Sequence, residues 1–291
     1  MRIGIGLPNS IPGCPGPLLK EWARSAEAAG FSTVAAIDRI AYATHDPMTS
    51  LAVAASVTNR IELVANIVVG PTRNAVLLAK EAATIQAVSE GRLVLGLGAG
   101  DRADDFLLAG ASFSGRGRAL DDLIDTLRLA WSGEPVPGSD SPVISGPITI
   151  PLLVAGHGEH GVKRAVRHSN GWTAGGLSPS EVAPLAGRVR QLWSEAGREG
   201  TPRIMALAYF ALGHDALVGA IAYLSGYYEW YGIDSDEQTI VDMLLCDADA
   251  VRLAVEAYRD AGVDDLVVYP AVAHAVQVDR LASALQTQIH G

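Results

Sequence analysis

"GRLVLGLGAGDRAD" (Gly91–Asp104) runs from an apolar stretch through alternating glycines into acids, the outline of a nucleotide-binding turn. A dinucleotide fingerprint requires Gly-x-Gly-x-x-Gly in the first βαβ unit, with an acid about twenty residues further on. Here Gly96, Gly98 and Gly100 alternate, Asp101 takes the place of the third required glycine, and the run is the fourth strand candidate rather than the first. The fingerprint fails. Two readings remain: small residues where a strand leaves a crowded barrel, which suits Gly96, or a functional corner at a strand's C-terminal end, which suits "GAGD" because barrel enzymes build their sites there.

Working outward, eight β-type runs alternate with amphipathic segments: 2–7, 33–37, 61–68, 92–98, 151–156, 171–176, 203–212 and 265–270. Helical segments are predicted near 17–30, 47–59, 74–89, 116–132, 159–169, 179–198, 214–231, 248–261 and 278–288. Near-continuously apolar strands suit a parallel sheet covered on both faces, and eight unbroken strand–helix units favour closure over an open sheet. The expected fold is therefore α/β, a (β/α)8 TIM barrel forming one domain over residues 1–291. Two segments break the repeat: the Pro/Gly/Ser-rich insertion 132–151, and 232–246, which reads as an extra short helix.

Composition narrows the function. The net charge of −10 and the presence of only three lysines, Lys20, Lys80 and Lys163, argue against nucleic acid and anionic membranes as partners. No uncharged apolar run approaches the roughly 20 residues of a spanning helix, and the N-terminus reads as a first strand, so a cytoplasmic protein is expected. Cys14 and Cys246 match no metal or redox spacing. The apolar content of 49% suits a homodimer through barrel helices.

The stretch "TNRIELVANIVVGPTRNAVLLAKEAATIQAVSEGRLVLGLGAGDRADDF", with "EAAGFSTVAAIDR", "ASFSGRGRALDDLIDTLRLAWSGEP", "HSNGWTAGG" and "AYRDAGVDDLVVYP", resembles the luciferase-like monooxygenases. That superfamily of flavin and deazaflavin barrels includes bacterial luciferase, alkanesulfonate monooxygenase and coenzyme F420-dependent reductases. The resemblance covers almost the whole chain and implies an oxidoreductase acting on a small-molecule substrate, with coenzyme F420 as cofactor or FMN as the alternative.

It also implies site residues. The ring of the cofactor would lie at the barrel's C-terminal mouth against a bulge carrying a non-prolyl cis peptide, near Asn66 and Ile67, with Gly98 and Gly100 beside it. Asp38 and Arg39 stand where F420-dependent relatives often carry an acid and a histidine. Asp38 would orient substrate or relay a proton, and Arg39, always charged, would bind an anion or stabilise charge on the reduced ring. The alternative is a salt-bridged pair at a strand end. Asp101 stands where such relatives carry a proton-donating Glu, a role that needs burial to tune a loop carboxyl, and Asp104 is a candidate polar contact to the cofactor. A cofactor phosphate would meet Gly156, Gly158, Gly175 and Gly176 at two glycine-rich strand ends that lead into helices, with Lys163 or Arg164 adding charge; an ordinary tight turn is the competing reading. "HGEH" (157–160) lacks HExxH spacing, so no metal is expected. The departures at Arg39, Asp101 and "TRNA" (72–75) keep open a non-catalytic member that binds flavin or nothing. An unrelated barrel hydrolase would need a metal cluster or a nucleophile–base pair at strand ends, which the sequence does not offer.

Overall fold

The computed structural model describes residues 1–229 and 237–286. Nine parallel strands form the sheet: β1 (Arg2–Gly6), β2 (Thr33–Ala36), β3 (Glu62–Val69), β4 (Leu93–Gly98), β5 (Leu152–Ala155), β6 (Gly171–Thr173), β7 (Arg203–Phe210), β8 (Leu244–Leu245) and β9 (Asp265–Pro270). β1 to β7 pair in sequence order, β7 pairs with β9, and β9 returns to β1 with Arg2 opposite Asp265. The result is a closed (β/α)8 barrel. β8 adds two residues beside the end of β7, on the edge that short β6 leaves open.

The strands are ringed by α1 (Gly16–Ala28), α2 (Pro47–Ala55), α3 (Ala75–Val88), α4 (Ala103–Ala109), α5 (Arg116–Trp131), α6 (Glu159–His168), α7 (Pro179–Glu195), α8 (Leu217–Tyr228), α9 (Glu237–Asp242), α10 (Ala248–Asp260) and α11 (Val276–Ala284). Their starts follow sequence chemistry: Asp46, Asn74 and Asp247 cap α2, α3 and α10 through their side chains, and Ser178 with Glu181 forms a capping box on α7. No helix among the described residues is long and apolar enough to cross a membrane.

The period-2 alternation of a strand explains the glycines of the opening stretch. On β4, Leu93, Leu95 and Leu97 pack outward against the helices, while Val94 faces the barrel interior. Gly96 and Gly98 share Val94's inward face. A Cβ on Gly96 would stand 2.3 Å from the Ala65 carbonyl oxygen, and one on Gly98 would stand 2.6 Å from Ile67 Cδ1. β3 shifts register between Ala65 and Val68, and the Asn66–Ile67 peptide within that bulge is cis. The glycines therefore leave a hollow into which β3 bulges. On β1 the same logic applies at Gly6, whose missing side chain is replaced by the Tyr269 ring.

The expected strands match β1–β7 and β9, most with shorter ends; β9 keeps its expected bounds and β3 runs one residue further, to Val69. The 171–176 run is strand only to Thr173, because Gly175, with φ 60°, turns the chain out of the sheet. β8 falls in the 232–246 segment expected to be helical, of which residues 237–242 form α9 and 232–236 lie outside the described residues. The ends of the helices expected over 214–231 and 278–288 also lie outside them. The 132–151 insertion is irregular, with one isolated bridge between Pro135 and Pro142.

The barrel floor is held by charge. Arg203 Nε donates to Asp265 Oδ2 at 2.8 Å, its Nη2 donates to Glu62 Oε2 at 2.5 Å, and Arg2 Nε donates to Asp265 Oδ1 at 2.6 Å. This cluster joins β1, β3, β7 and β9 at their N-terminal ends, opposite the mouth.

Candidate functional site

A cavity of about 450 Å³ opens at the C-terminal mouth of the barrel, within the range of small-molecule sites. Its back wall is the β3 bulge. Asn66 is 4% exposed; its Oδ1 accepts from the Thr173 hydroxyl at 2.8 Å, and its Nδ2, near the Tyr269 hydroxyl, makes no hydrogen bond of normal geometry among the described residues. A buried amide donor is costly to leave unpaired, so Nδ2 marks a place for an acceptor.

Glycines form an adjoining wall. Gly156 and Gly161 approach so closely that a Cβ on Gly161 would stand 2.6 Å from the Gly156 Cα, which seats the first turn of α6 against the end of β5. The Trp172 indole donates to the Gly156 carbonyl at 2.9 Å and fixes the same corner. Gly158, the N-cap of α6, has open space where a side chain would be. Gly175 and Gly176 complete the wall, with His157 and Arg164. The free N–H groups and positive end of a ten-residue helix here suit an anion. Arg164 is held by Asp121, its Nε donating to Oδ1 at 2.6 Å.

The roof is aromatic. α8 crosses the mouth and touches loops from around the barrel: the Tyr223 hydroxyl donates to Ser10 Oγ at 2.8 Å, Tyr227 meets the Tyr42 ring edge-on, and Arg102 lies over the Tyr227 ring at 4.5 Å. Tyr228 shares a 3.0 Å hydroxyl contact with Tyr209 of β7. The aromatic stretch YLSGYYEWYG (223–232) thus covers the cavity through residue 228; residues 230–232 lie outside the described ones.

The carboxylates are placed differently from each other. Asp38 lines the cavity but is occupied: Oδ2 accepts from the Val69 N–H at 3.0 Å, and Arg73 Nη2 donates to Oδ1 at 2.9 Å. Burial pushes its carboxyl above the ordinary value, and Arg73 and the Val69 N–H offset only part of that rise. Asp38 and Arg39 are not paired with each other. Arg39 is buried outside the cavity wall and grips Asp104 Oδ2 at 2.8 Å and Asp105 Oδ2 at 3.4 Å. Asp104, so engaged, does not line the cavity either. Asp105 does; its Oδ1 accepts the Ile40 and Ala41 N–H groups and shapes the loop after β2. Asp101 sits on the rim with its side chain 64% exposed, 3.5 Å from Arg116, without the burial that its expected role requires. Asn66, Ile67, Gly98, Gly100, Gly156, Gly158, Gly175 and Gly176 all line the cavity. Residues that sequence reasoning did not single out are Thr173, Asp105, Tyr209 and Arg102. Nothing local in the sequence marks them; they meet only when the barrel closes. No group of metal-capable residues clusters among the described residues.

Arg73 also reaches Asp46 Oδ2 at 2.9 Å, and Asp46 accepts from the Thr49 N–H as the cap of α2. Partial burial pushes this carboxyl up, but Thr49 and Arg73 outweigh it and leave it below the ordinary carboxylate value. A depressed carboxylate stabilises the fold above its unfolded pKa of about 4 and loses that contribution as pH falls through its folded value. Asp46→Asn keeps a capping oxygen but not the charge. The expected result is a deficit of about 0.5–1 kcal/mol against wild type at pH 7, closing in denaturant titrations as the pH falls below the ordinary carboxylate range.

The model of the family described as luciferase-like monooxygenase matches residues 15–241. An uncharacterized protein of Mycobacterium tuberculosis is 30% identical over 208 residues, 60% of this chain and 71% of that protein. Among solved structures, an F420-dependent secondary alcohol dehydrogenase in complex with an F420-acetone adduct superposes with a TM-score of 0.81 at 17% identity over 98% of each chain. A monooxygenase from Streptomyces bottropensis gives 0.81 at 21% identity, over 100% of this chain and 98% of that one. A coenzyme F420-dependent tetrahydromethanopterin reductase from Methanopyrus kandleri gives 0.74 at 20% identity, over 99% of this chain and 100% of that one. At these identities the structural likeness establishes the fold.

Proposed function

The chain belongs to the luciferase-like monooxygenase family of oxidoreductases, and from that premise we propose that its barrel mouth holds coenzyme F420 for hydride transfer to or from a small organic substrate. The observation that carries the reading is the meeting, in one cavity, of the unpaired Asn66 amide and the glycine wall at the α6 N-terminus. The first offers a donor to a ring heteroatom, and the second offers N–H groups to a phosphate. Arg102 and Arg164 line the mouth and Arg116 stands beside it, donating to the Gly100 carbonyl at 2.7 Å. They offer guanidinium groups to the acidic tail of that cofactor, set among the carboxylates of Asp38, Asp101 and Asp105 that line the same cavity.

When bound, the deazaflavin supplies the two-electron centre. The protein's own part is placement. Asn66 and Ile67 form the back wall, and Gly156, Gly158, Gly175 and Gly176 the anion corner. Asp38 locks the end of β3 to Arg73, and the α8 tyrosines keep water from the cavity. Asp101 stands at the rim beside Arg116.

A second reading, FMN with O₂ in an oxygenation, is favoured by that tyrosine roof, because oxygen chemistry on a reduced flavin needs a dry site. Binding of FMN and coenzyme F420 to the apo protein, compared by fluorescence at equal concentrations, separates the two. Selective F420 binding is expected. Selective FMN binding moves the reaction to oxygenation, and binding of neither supports the non-catalytic alternative.

A further inference from the structure

A second cavity, of about 330 Å³, lies at the floor end of the barrel beside the starts of β5 and β6, away from the mouth. It is bounded by the C-terminal ends of α5 and α6, by Arg198 in the turn after α7, and by residues 147–150 of the Pro/Gly/Ser-rich insertion. The insertion is fastened there: the Ile148 N–H donates to the Trp131 carbonyl at 2.9 Å, and Gln86 Nε2 donates to the Thr149 carbonyl at 2.9 Å. The segment that breaks the strand–helix repeat thus serves as a wall.

The charge on that wall has one sign. In a chain of net charge −10, no carboxylate is among the described residues that line the cavity, whereas Arg128, Arg198 and His168 all do so. Arg128 Nη2 donates to the His168 carbonyl at 2.8 Å and Arg198 Nη1 donates to the Val166 carbonyl, so both arginines close the C-terminal end of α6. Capping uses only part of what they carry, because a guanidinium has five N–H donors. Arg198 has no acid partner among the described residues; its other contact is the face of the Trp193 ring at 3.7 Å. Arg128 has Asp125 alone, 3.8 Å away with a side chain 65% exposed, a weak and screened hold. Burial and the neighbouring Arg128 charge keep Arg198 below its ordinary pKa, as befits two cations held near each other without an anion between them.

His168 adds a donor. It is 3% exposed, and burial holds its pKa below the ordinary histidine value, so the ring is neutral at pH 7. Its Nδ1 lies 3.4 Å from Arg128 Nη1, which can only donate, so the ring proton sits on Nε2, where no hydrogen bond receives it. The nearest acid, Asp121 at 3.7 Å, is engaged by Arg164. Asn170 Oδ1 accepts from the Leu152 N–H at 2.9 Å, which leaves its amide nitrogen as a further donor on the same wall.

We propose that this floor cavity is a second binding site, for a phosphate monoester with a compact apolar body, the phosphate taken by Arg128 and Arg198 and the body by Trp131, Ile148 and Ile150. A monoester carries nearly two negative charges at pH 7, which two guanidiniums match, and Arg–phosphate pairs are among the strongest polar contacts available. The cavity is of small-molecule size, so the apolar wall has room for more than the phosphate itself. The site is independent of the reaction at the mouth.

Isoleucine methyl NMR of the full chain tests this by position, since Ile148 and Ile150 line the floor cavity while Ile37 and Ile67 line the mouth. Phenyl phosphate is expected to shift Ile148 and Ile150 saturably, and phenol, the same ring without the phosphate, to bind there at least tenfold more weakly, about the worth of one charge-assisted hydrogen bond. Arg198→Gln and Thr149→Glu are each expected to weaken phenyl phosphate binding at Ile148 and Ile150 by about tenfold or more. The second adds a carboxylate to the wall and leaves both arginine caps of α6 in place. Any response of Ile37 and Ile67 should match wild type in both variants. Unmoved Ile148 and Ile150 signals overturn the inference. So does an equal response to phenol, or phenyl phosphate binding at these two residues that is undiminished in both variants.

Discussion

Gly161→Val is expected to lower the affinity for a phosphate-bearing cofactor by roughly tenfold or more, alongside an overpacking cost of about 1–3 kcal/mol in global stability. Gly161 lies in the first turn of α6, and a Cβ there would meet the Gly156 Cα at 2.6 Å and its carbonyl carbon at 2.8 Å. Both are backbone atoms, so no side chain can rotate away to make room. The helix start must therefore lift from the end of β5, which moves its N–H groups away from the anion corner that Gly158 opens. Because the displacement acts on the phosphate end, dephosphorylated analogues of the same ring should lose far less affinity. Comparing coenzyme F420 with its deazaflavin ring lacking the phosphate-bearing tail measures this directly. Equal losses for the two would show that the corner does not hold the phosphate. Gly187→Ala, in an open position on α7, is the matched control and is expected to change neither affinity.

Arg203→Ala is expected to cost about 3–5 kcal/mol of unfolding free energy, read from denaturant midpoints at neutral pH. Arg203 donates to both Glu62 and Asp265, and the Asp265 side chain is only 4% exposed. Without Arg203, Asp265 keeps Arg2, whose own side chain is 48% exposed and whose hold is screened accordingly. Two carboxylates would then share the barrel floor with a single, more solvated cation. Replacing Arg203 together with Glu62 by apolar residues of similar volume should recover part of the loss, because the penalty comes chiefly from the charges left without a partner. The cofactor site, at the opposite end of the strands, should bind normally wherever the variant is folded.

The barrel was legible because apolar runs of five to ten residues recur between helical segments, and closure of a parallel sheet follows from that order. β8 escaped notice because Leu244 and Leu245 are too few to show a period and follow directly on α9. In the site, the glycines stood out since their chemistry is local: Gly158 and Gly175 answer to turns and helix starts a few residues away. Charge partnerships were opaque. Asp38 and Arg39 are neighbours in sequence yet leave the strand in opposite directions, one to Arg73 and the other to Asp104 and Asp105, because successive side chains at a strand end point to opposite sides. Tyr209 and Tyr228 are nineteen residues apart, on a strand and on the helix that folds back over it, and no pattern in either element announces the contact.

The pairing of Arg2 with Asp265 closes the barrel between residues 263 apart in the chain. During synthesis β1 therefore emerges first on that side and waits for β9, with one row of backbone donors and acceptors unsatisfied throughout. Such an edge is a template for mispairing with any strand that arrives early, another nascent copy included. Arg2, at the first position of β1 and half exposed, places a charge on that waiting edge; Glu62 of β3 can pair with it early, and Asp265 joins only when β9 arrives. The same side chain that fastens the finished barrel thus guards the unfinished one.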